Sequence, residues 1–252
     1  KGDTVSLLLP NIPEALYFSL AIYRLGAVIA MHYLGLSPQV FAERLNDSNS
    51  KILVTASKGF RNGNEIRIKD YVDKVLSEYK TPVEKVIVVS RGFSDFNVIQ
   101  NRDIVYEDAV PKGKIYVKPE EVESNDPLII AYTSGTTGKP KGIYSSLAYI
   151  VASTWALKAV LGFREGEDVI WILSDLGWLT WAGNIHFIPQ KRLIGVIFEG
   201  FIGYNKELFS RIIERFNVNL IWMPTTLLNM LKSLGEESVK AGDISSLRLI
   251  LN

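Results

Sequence analysis

The sequence predicts an α/β protein built of largely parallel sheets flanked by helices. Three observations predict it. Short apolar runs alternate along the chain with longer stretches of helical periodicity. Proline and glycine stand at the junctions, where they start and stop such elements. The first three apolar runs are separated by helix-length segments, so a β-α-β-α-β order with right-handed crossovers follows.

Val5–Leu9 reads as a buried strand, broken by Pro10-Asn11-Ile12-Pro13. Pro13 suits the first turn of a helix and Glu14 its positive end. Ala15–Leu25 continues that helix, Gly26 stops it, and Ala27–Met31 is the next strand. Ser37-Pro38 is an N-cap followed by proline at the first helical position, opening a helix to about Asp47. Lys51–Thr55 is a strand, Ala56–Ile68 a loop, Lys69–Tyr79 a helix and Val86–Val89 a strand. Arg91–Asp126 is less regular, and a subdomain boundary is expected near 110–126. Leu128–Ala131 is a strand that runs into a loop rich in Gly, Thr and Ser. Leu147–Leu161 reads as a buried helix. Val169–Ile172, Ile194–Phe198 and Asn219–Trp222 are later strands, and Lys206–Phe216 and Thr225–Leu234 later helices.

The chain has 252 residues, with 28 Lys+Arg against 27 Asp+Glu and a net charge of +1. This balance argues against a nucleic-acid protein, which usually carries a basic face. Hydrophobic residues make up 47% and charged ones 22%, the profile of a chain that folds around a core. With no cysteine, disulfides, a thiolate nucleophile and Cys-ligated metals are excluded. No apolar run reaches the roughly 20 residues of a membrane helix. No signal peptide opens the chain, so a cytoplasmic location is the default expectation; the opening Lys1-Gly2-Asp3-Thr4 reads as the middle of a longer protein. His32 and His186 lie in apolar surroundings without metal-ligand spacing and are expected to be structural.

The informative segment is Thr133-Ser134-Gly135-Thr136-Thr137-Gly138-Lys139-Pro140-Lys141-Gly142. One reading is a solvated turn. The other is a phosphate cradle: glycines let backbone N–H groups approach an anion, hydroxyls add donors, and Lys141 supplies a point charge. The Walker A pattern is not met, because Pro140 follows Gly138-Lys139 and Thr133 stands where the first glycine belongs.

The segment resembles the signature loop of the adenylate-forming superfamily, which holds acyl-CoA synthetases, firefly luciferase and the adenylation domains of peptide synthetases. Thr133–Gly138 and Pro140–Gly142 match every specified position of that pattern, although Ile143-Tyr144-Ser145-Ser146 stands where many relatives have a histidine. The resemblance runs on through Lys1-Gly2-Asp3-Thr4-Val5, Pro10–Ala15, Gly26-Ala27, Ser37-Pro38, Asp47-Ser48, Phe198-Glu199-Gly200, Pro224-Thr225 and Ser245–Arg248. Gly59–Gly63 and Ser174–Thr180 are similar to segments of the acetyl-CoA synthetase branch.

This resemblance implies part of the large N-terminal domain of an AMP-forming acyl-CoA synthetase. Such an enzyme attaches a short carboxylic acid to ATP as an acyl-adenylate, releases pyrophosphate, and passes the acyl group to coenzyme A. ATP, Mg²⁺ and coenzyme A are the implied cofactors. Thr133, Ser134, Gly135, Thr136, Thr137 and Gly138 would hold the ATP phosphates, with Lys141 offsetting their charge. Arg61 and Gly35 would lie at the coenzyme, with Thr180; Asn64 stands where relatives often have a second basic residue. Trp178, Leu179 and Thr180 would line the acyl pocket. Trp181 replaces a usual glycine and is expected to narrow or reshape that passage. Asp175 is expected to be a turn or cap residue. The small C-terminal domain and the start of the N-terminal domain would be absent, leaving these residues inactive alone and prone to self-association. Two rivals stand beside this reading: a nucleotide- or coenzyme-binding module without the chemistry, and a kinase, which the failed Walker A pattern disfavours.

Overall fold

A computed structural model describes residues 1–133, 141–182 and 186–252. The order begins with β1 (Thr4–Leu8), α1 (Pro13–Arg24), β2 (Val28–Met31), α2 (Pro38–Asp47) and β3 (Ile52–Ala56). Local chemistry sets these bounds. Pro13 opens α1, and Gly26 ends it at φ +60 with its N–H on the Tyr23 carbonyl at 2.9 Å. The Ser37 hydroxyl accepts from the Val40 N–H at 3.4 Å, capping α2 one residue before Pro38.

The expected loop at 56–68 is instead a hairpin, β4 (Gly59–Arg61) and β5 (Asn64–Ile66). Its turn is Asn62-Gly63, both at positive φ (53° and 75°), the signature of a tight hairpin turn. That dipeptide was readable in the sequence, and the flanking polar residues masked it. After α3 (Ile68–Glu78) and β6 (Lys85–Val89), the irregular region contains a further strand, β7 (Asp103–Val105), and α4 (Tyr106–Ala109). Next come β8 (Pro127–Thr133) and β9 (Lys141–Ser146), which sequence periodicity did not mark as a strand. Ser146 ends β9 and caps α5 (Leu147–Leu161) by accepting from the Tyr149 N–H.

Among the described residues, β7-β6-β3-β1-β2-β8-β9 form one sheet, parallel throughout except for the antiparallel β8–β9 pair. The chain continues through β10 (Val169–Ile172), α6 (Leu179–Ala182), α7 (Phe187–Gln190), β11 (Ile194–Val196), α8 (Leu208–Phe216), β12 (Leu220–Trp222), α9 (Thr225–Leu234), α10 (Glu237–Lys240) and β13 (Leu249–Leu251). A second sheet, β11-β10-β12-β13, is all parallel.

Strand β10 shows how the two sheets share the interior. Ile170 and Ile172 belong to the hydrophobic cluster centred on β1, β2 and β3, whereas Val169, Trp171 and Leu173 belong to a second cluster with Ile213, Ile221 and Met223. Successive side chains of a strand face opposite ways, so a strand buried on both faces reads as an unbroken apolar run.

Helix α5 departs from expectation. Only Ile150, Thr154 and Leu161 are buried, while Trp155 and Val160 are 72% and 80% exposed. A helix apolar all round reads as buried, but here one face alone is packed. No helix among the described residues is long and apolar enough to cross a membrane.

Candidate functional site

In open parallel sheets, ligand sites form beyond the carboxyl ends of the strands, where the connecting loops splay apart. Among the described residues a cavity lies there. It has a volume of about 370 Å³, and its walls come from segments that leave four strands and one hairpin. Asn11 follows β1, Ser174 and Asp175 follow β10, Phe198 and Gly200 follow β11, and Pro224 follows β12; Arg61 comes from β4. Trp171, Trp178, Phe201 and Leu227 give it an apolar lining, with Arg61, Asp175 and Thr180 as polar groups. This mixture is typical of a small-molecule site.

Asn11 ties the walls together. Its side-chain amide donates to the Ser174 carbonyl at 3.0 Å and the Phe198 carbonyl at 3.4 Å, bridging the loop after β1 to the loops after β10 and β11. Gly177 lets the segment after β10 lie against the end of β2. A Cβ there would stand 2.2 Å from the Tyr33 nitrogen and 2.5 Å from the His32 carbonyl carbon, so only glycine fits. Trp178, the next residue, stacks on Tyr33 with ring centroids 5.6 Å apart and an interplanar angle of 19°. The Asp175 carbonyl accepts from the Trp178 N–H at 3.0 Å, which makes Asp175 a turn residue, and its carboxylate Oδ2 lies 3.3 Å from Arg61 Nη1.

The cavity brings Arg61 together with Trp178 and Thr180, which lie far from it in sequence. Arg61 sits on a strand rather than in an open loop, with its guanidinium 5.9 Å from the Phe201 ring centre. Gly35, at φ +107 and exposed, does not line this cavity. Ser134, Gly135, Thr136, Thr137 and Gly138 lie outside the described residues, as does the Leu179 side chain. The flanks of that loop are described: Thr133 and Lys141 are exposed register partners across β8 and β9. Tyr132, just before the loop, donates its hydroxyl to Asp47 Oδ2 at 2.8 Å. Trp181 is 2% exposed and packs in the first hydrophobic cluster, outside the cavity lining.

Both histidines are buried. His32 shares a 2.9 Å hydrogen bond between Nε2 and the Ser6 hydroxyl; burial, helped by the nearby Arg44 charge, pushes it down to about 3. Burial likewise pushes His186 down to about 4. Among the described residues no three His, Asp or Glu side chains converge as a metal cluster would.

Sequence reading missed roles for Asn11, Phe201, Leu227 and the pair Arg91–Glu199. Asn11 and Glu199 stood in recognisable blocks, but their function depends on contacts across 163 and 108 residues. The one usable signal was position, since such residues follow the carboxyl ends of predicted strands.

A profile described as AMP-binding enzyme matches residues 1–252, the whole chain. Acetyl-coenzyme A synthetase of Photobacterium profundum is 36% identical over 99% of this chain and 39% of its own length. Acetyl-coenzyme A synthetase of Pyrobaculum aerophilum is 38% identical over 99% of this chain and 38% of its own length. For acetyl-coenzyme A synthetase 2 of Pseudomonas putida the identity is 35%, over 99% and 39%. The chain thus spans about two fifths of the length of the curated relatives it matches. A chain-long profile match, on a fold whose cavity opens at the carboxyl ends of two parallel sheets, places this chain in the AMP-binding enzyme family.

Proposed function

We propose that these residues form part of an AMP-forming acyl-CoA synthetase acting on a short carboxylic acid. The supporting observation is the cavity at the strand ends, where one basic group, one acidic group and aromatic walls meet in a chain similar along its length to acetyl-coenzyme A synthetases. A carboxylate is a poor acyl donor because oxide would have to leave. In the proposed reaction a carboxylate oxygen attacks the α-phosphorus of ATP and pyrophosphate departs. The thiol of coenzyme A then adds to the acyl carbon, and AMP departs with the bonding pair of the mixed anhydride. Positioning and charge neutralisation dominate such steps.

Within this reading the loop from Thr133 to Gly138 holds the β- and γ-phosphates, and Lys141 offsets their charge. Mg²⁺ enters as the partner ion of those phosphates. Arg61 meets a phosphate of coenzyme A, with Gly35 close by; a guanidinium fork matches phosphate geometry. Trp178, Leu179 and Thr180 bound the acyl group, and Thr180 also faces the coenzyme. Residues 1–252 match only 39% of the first relatives' length, so these residues alone are expected to lack ATP–pyrophosphate exchange.

The test is pyrophosphate release and thioester formation by the whole gene product across a panel of short acids. Lys141→Ala is expected to lower kcat/KM for ATP on the order of 100-fold, as loss of a transition-state charge contact does. Transfer of the γ-phosphoryl group of ATP to an acceptor, with ADP formed and no pyrophosphate released, would instead support a kinase. Binding without turnover would support a non-catalytic module.

A further inference from the structure

A hairpin of three-residue strands has little stability of its own. The hairpin of β4 and β5 nevertheless carries Arg61 to the cavity mouth, and its base is fastened by residues distant in sequence. Arg91 donates from Nη1 and Nη2 to the two oxygens of Glu199, at 2.8 and 2.6 Å. These side chains are 19% and 16% exposed. Glu199 Oε1 also accepts from the Phe60 N–H at 3.0 Å, and Arg91 Nη1 donates to the Lys58 carbonyl at 3.0 Å. One ion pair therefore grips the backbone on both sides of Gly59. An added Cβ at Gly59 would stand 3.0 Å from Ile68 Cδ1 and 3.4 Å from Glu199 Oε1, so the approach is close. Arg91 has φ +58, a conformation side chains rarely adopt. Glu107 supports it by accepting from the Ser90 and Arg91 N–H groups, each at 3.0 Å. Arg61, the residue after Phe60, faces Asp175 at 3.3 Å.

We propose that Arg91 and Glu199 are positioning residues, whose ion pair fixes the hairpin so that Arg61 exchanges Asp175 for a phosphate ester of the incoming thiol coenzyme. This rests on the reading of Arg61 as the coenzyme phosphate contact. The physical ground is preorganisation: a guanidinium held in place loses less freedom on binding than one on a loose hairpin.

The experiment is calorimetric titration of the protein with coenzyme A and with dephospho-coenzyme A, which lacks only the 3′-phosphate. Glu199→Gln keeps an acceptor for Phe60 but loses the charge pair, and Arg91→Lys keeps the charge but loses the fork. Each is expected to weaken coenzyme A binding roughly three- to tenfold while leaving dephospho-coenzyme A within about twofold. Equal loss for both ligands, or no loss, overturns the inference. Arg61→Ala separates the two levels. If it leaves the preference for coenzyme A intact, or if the unsubstituted protein shows none, the underlying reading fails and the inference with it. If Arg61→Ala abolishes the preference while the other variants retain it, the inference alone fails. Where circular dichroism shows one variant unfolded, the other carries the test; if both unfold, the pair is a structural staple and the inference is overturned.

Discussion

At Gly177 an absent side chain shapes the site. The backbone of His32 and Tyr33 occupies the space where a Cβ would go, and the same contact sets Trp178 against Tyr33 at the cavity wall. Backbone cannot rotate away as a side chain can. Gly177→Ala is therefore expected to destabilise the protein by about 3 kcal/mol or more, through overpacking against main chain. Chemical denaturation checks this, and a midpoint within error of the unsubstituted protein would refute the close approach. The glycine was legible in the sequence as part of Ser174–Thr180, but its reason was not. Trp181 teaches the converse. Its size was legible, yet its direction was not, and the ring turns into the core instead of narrowing the cavity.

At the scale of elements, α3 and β7 are joined by charge in the interior. Lys69 lies between Asp73 at 2.6 Å and Asp103 at 2.9 Å, with the Lys69 and Asp103 side chains fully buried. Arg102 Nε donates to Asp103 Oδ1 at 2.6 Å and also pairs with Asp73, closing a ring of two cations and two carboxylates. Burial pushes the Asp103 carboxyl up, but Arg102, the Ile99 N–H and Lys69 together hold it below the usual carboxylate range. Removing the Asp103 charge leaves Lys69 and Arg102 sharing the single carboxylate of Asp73, so one positive charge in the interior is uncompensated. Asp103→Asn is expected to cost about 3 kcal/mol, measured by denaturant unfolding at neutral pH; a loss below about 1 kcal/mol would show the ring to be dispensable. The strand β7 escaped sequence reading because three residues carry almost no periodic signal, and its place is decided by this ring and by parallel pairing with β6. The hairpin of β4 and β5 is different, since Asn62-Gly63 announced it and only its anchorage needed the fold.

Over the whole molecule, two buried neutral histidines link stability to pH. His32 and His186, pushed down to about 3 and about 4 from 6.5, stay uncharged in the fold, whereas the unfolded chain gains protons near 6.5. Their linkage costs little at pH 7 and destabilises progressively as pH falls through 6.5, toward 4 for His186 and toward 3 for His32. Between pH 7 and pH 5 each histidine is expected to remove on the order of 1–2 kcal/mol. Replacing both by Gln should flatten the profile in that window, and an unfolding free energy of the unsubstituted protein that is level from pH 7 to pH 5 would contradict the assignment.

Local chemistry carried in the sequence was enough to determine that strands and helices alternate, where Pro13, Gly26 and Ser37 begin and end them, and which loop has the makings of a phosphate cradle. Those features depend on neighbours a few residues away, through backbone sterics, capping and side-chain period. Tertiary structure alone decided which residues share the cavity, that α5 packs on one face only, and that Arg91 and Glu199 hold the Arg61 hairpin. Each of those outcomes is a contact or a burial between segments distant in the chain, and no local propensity encodes which segments will meet.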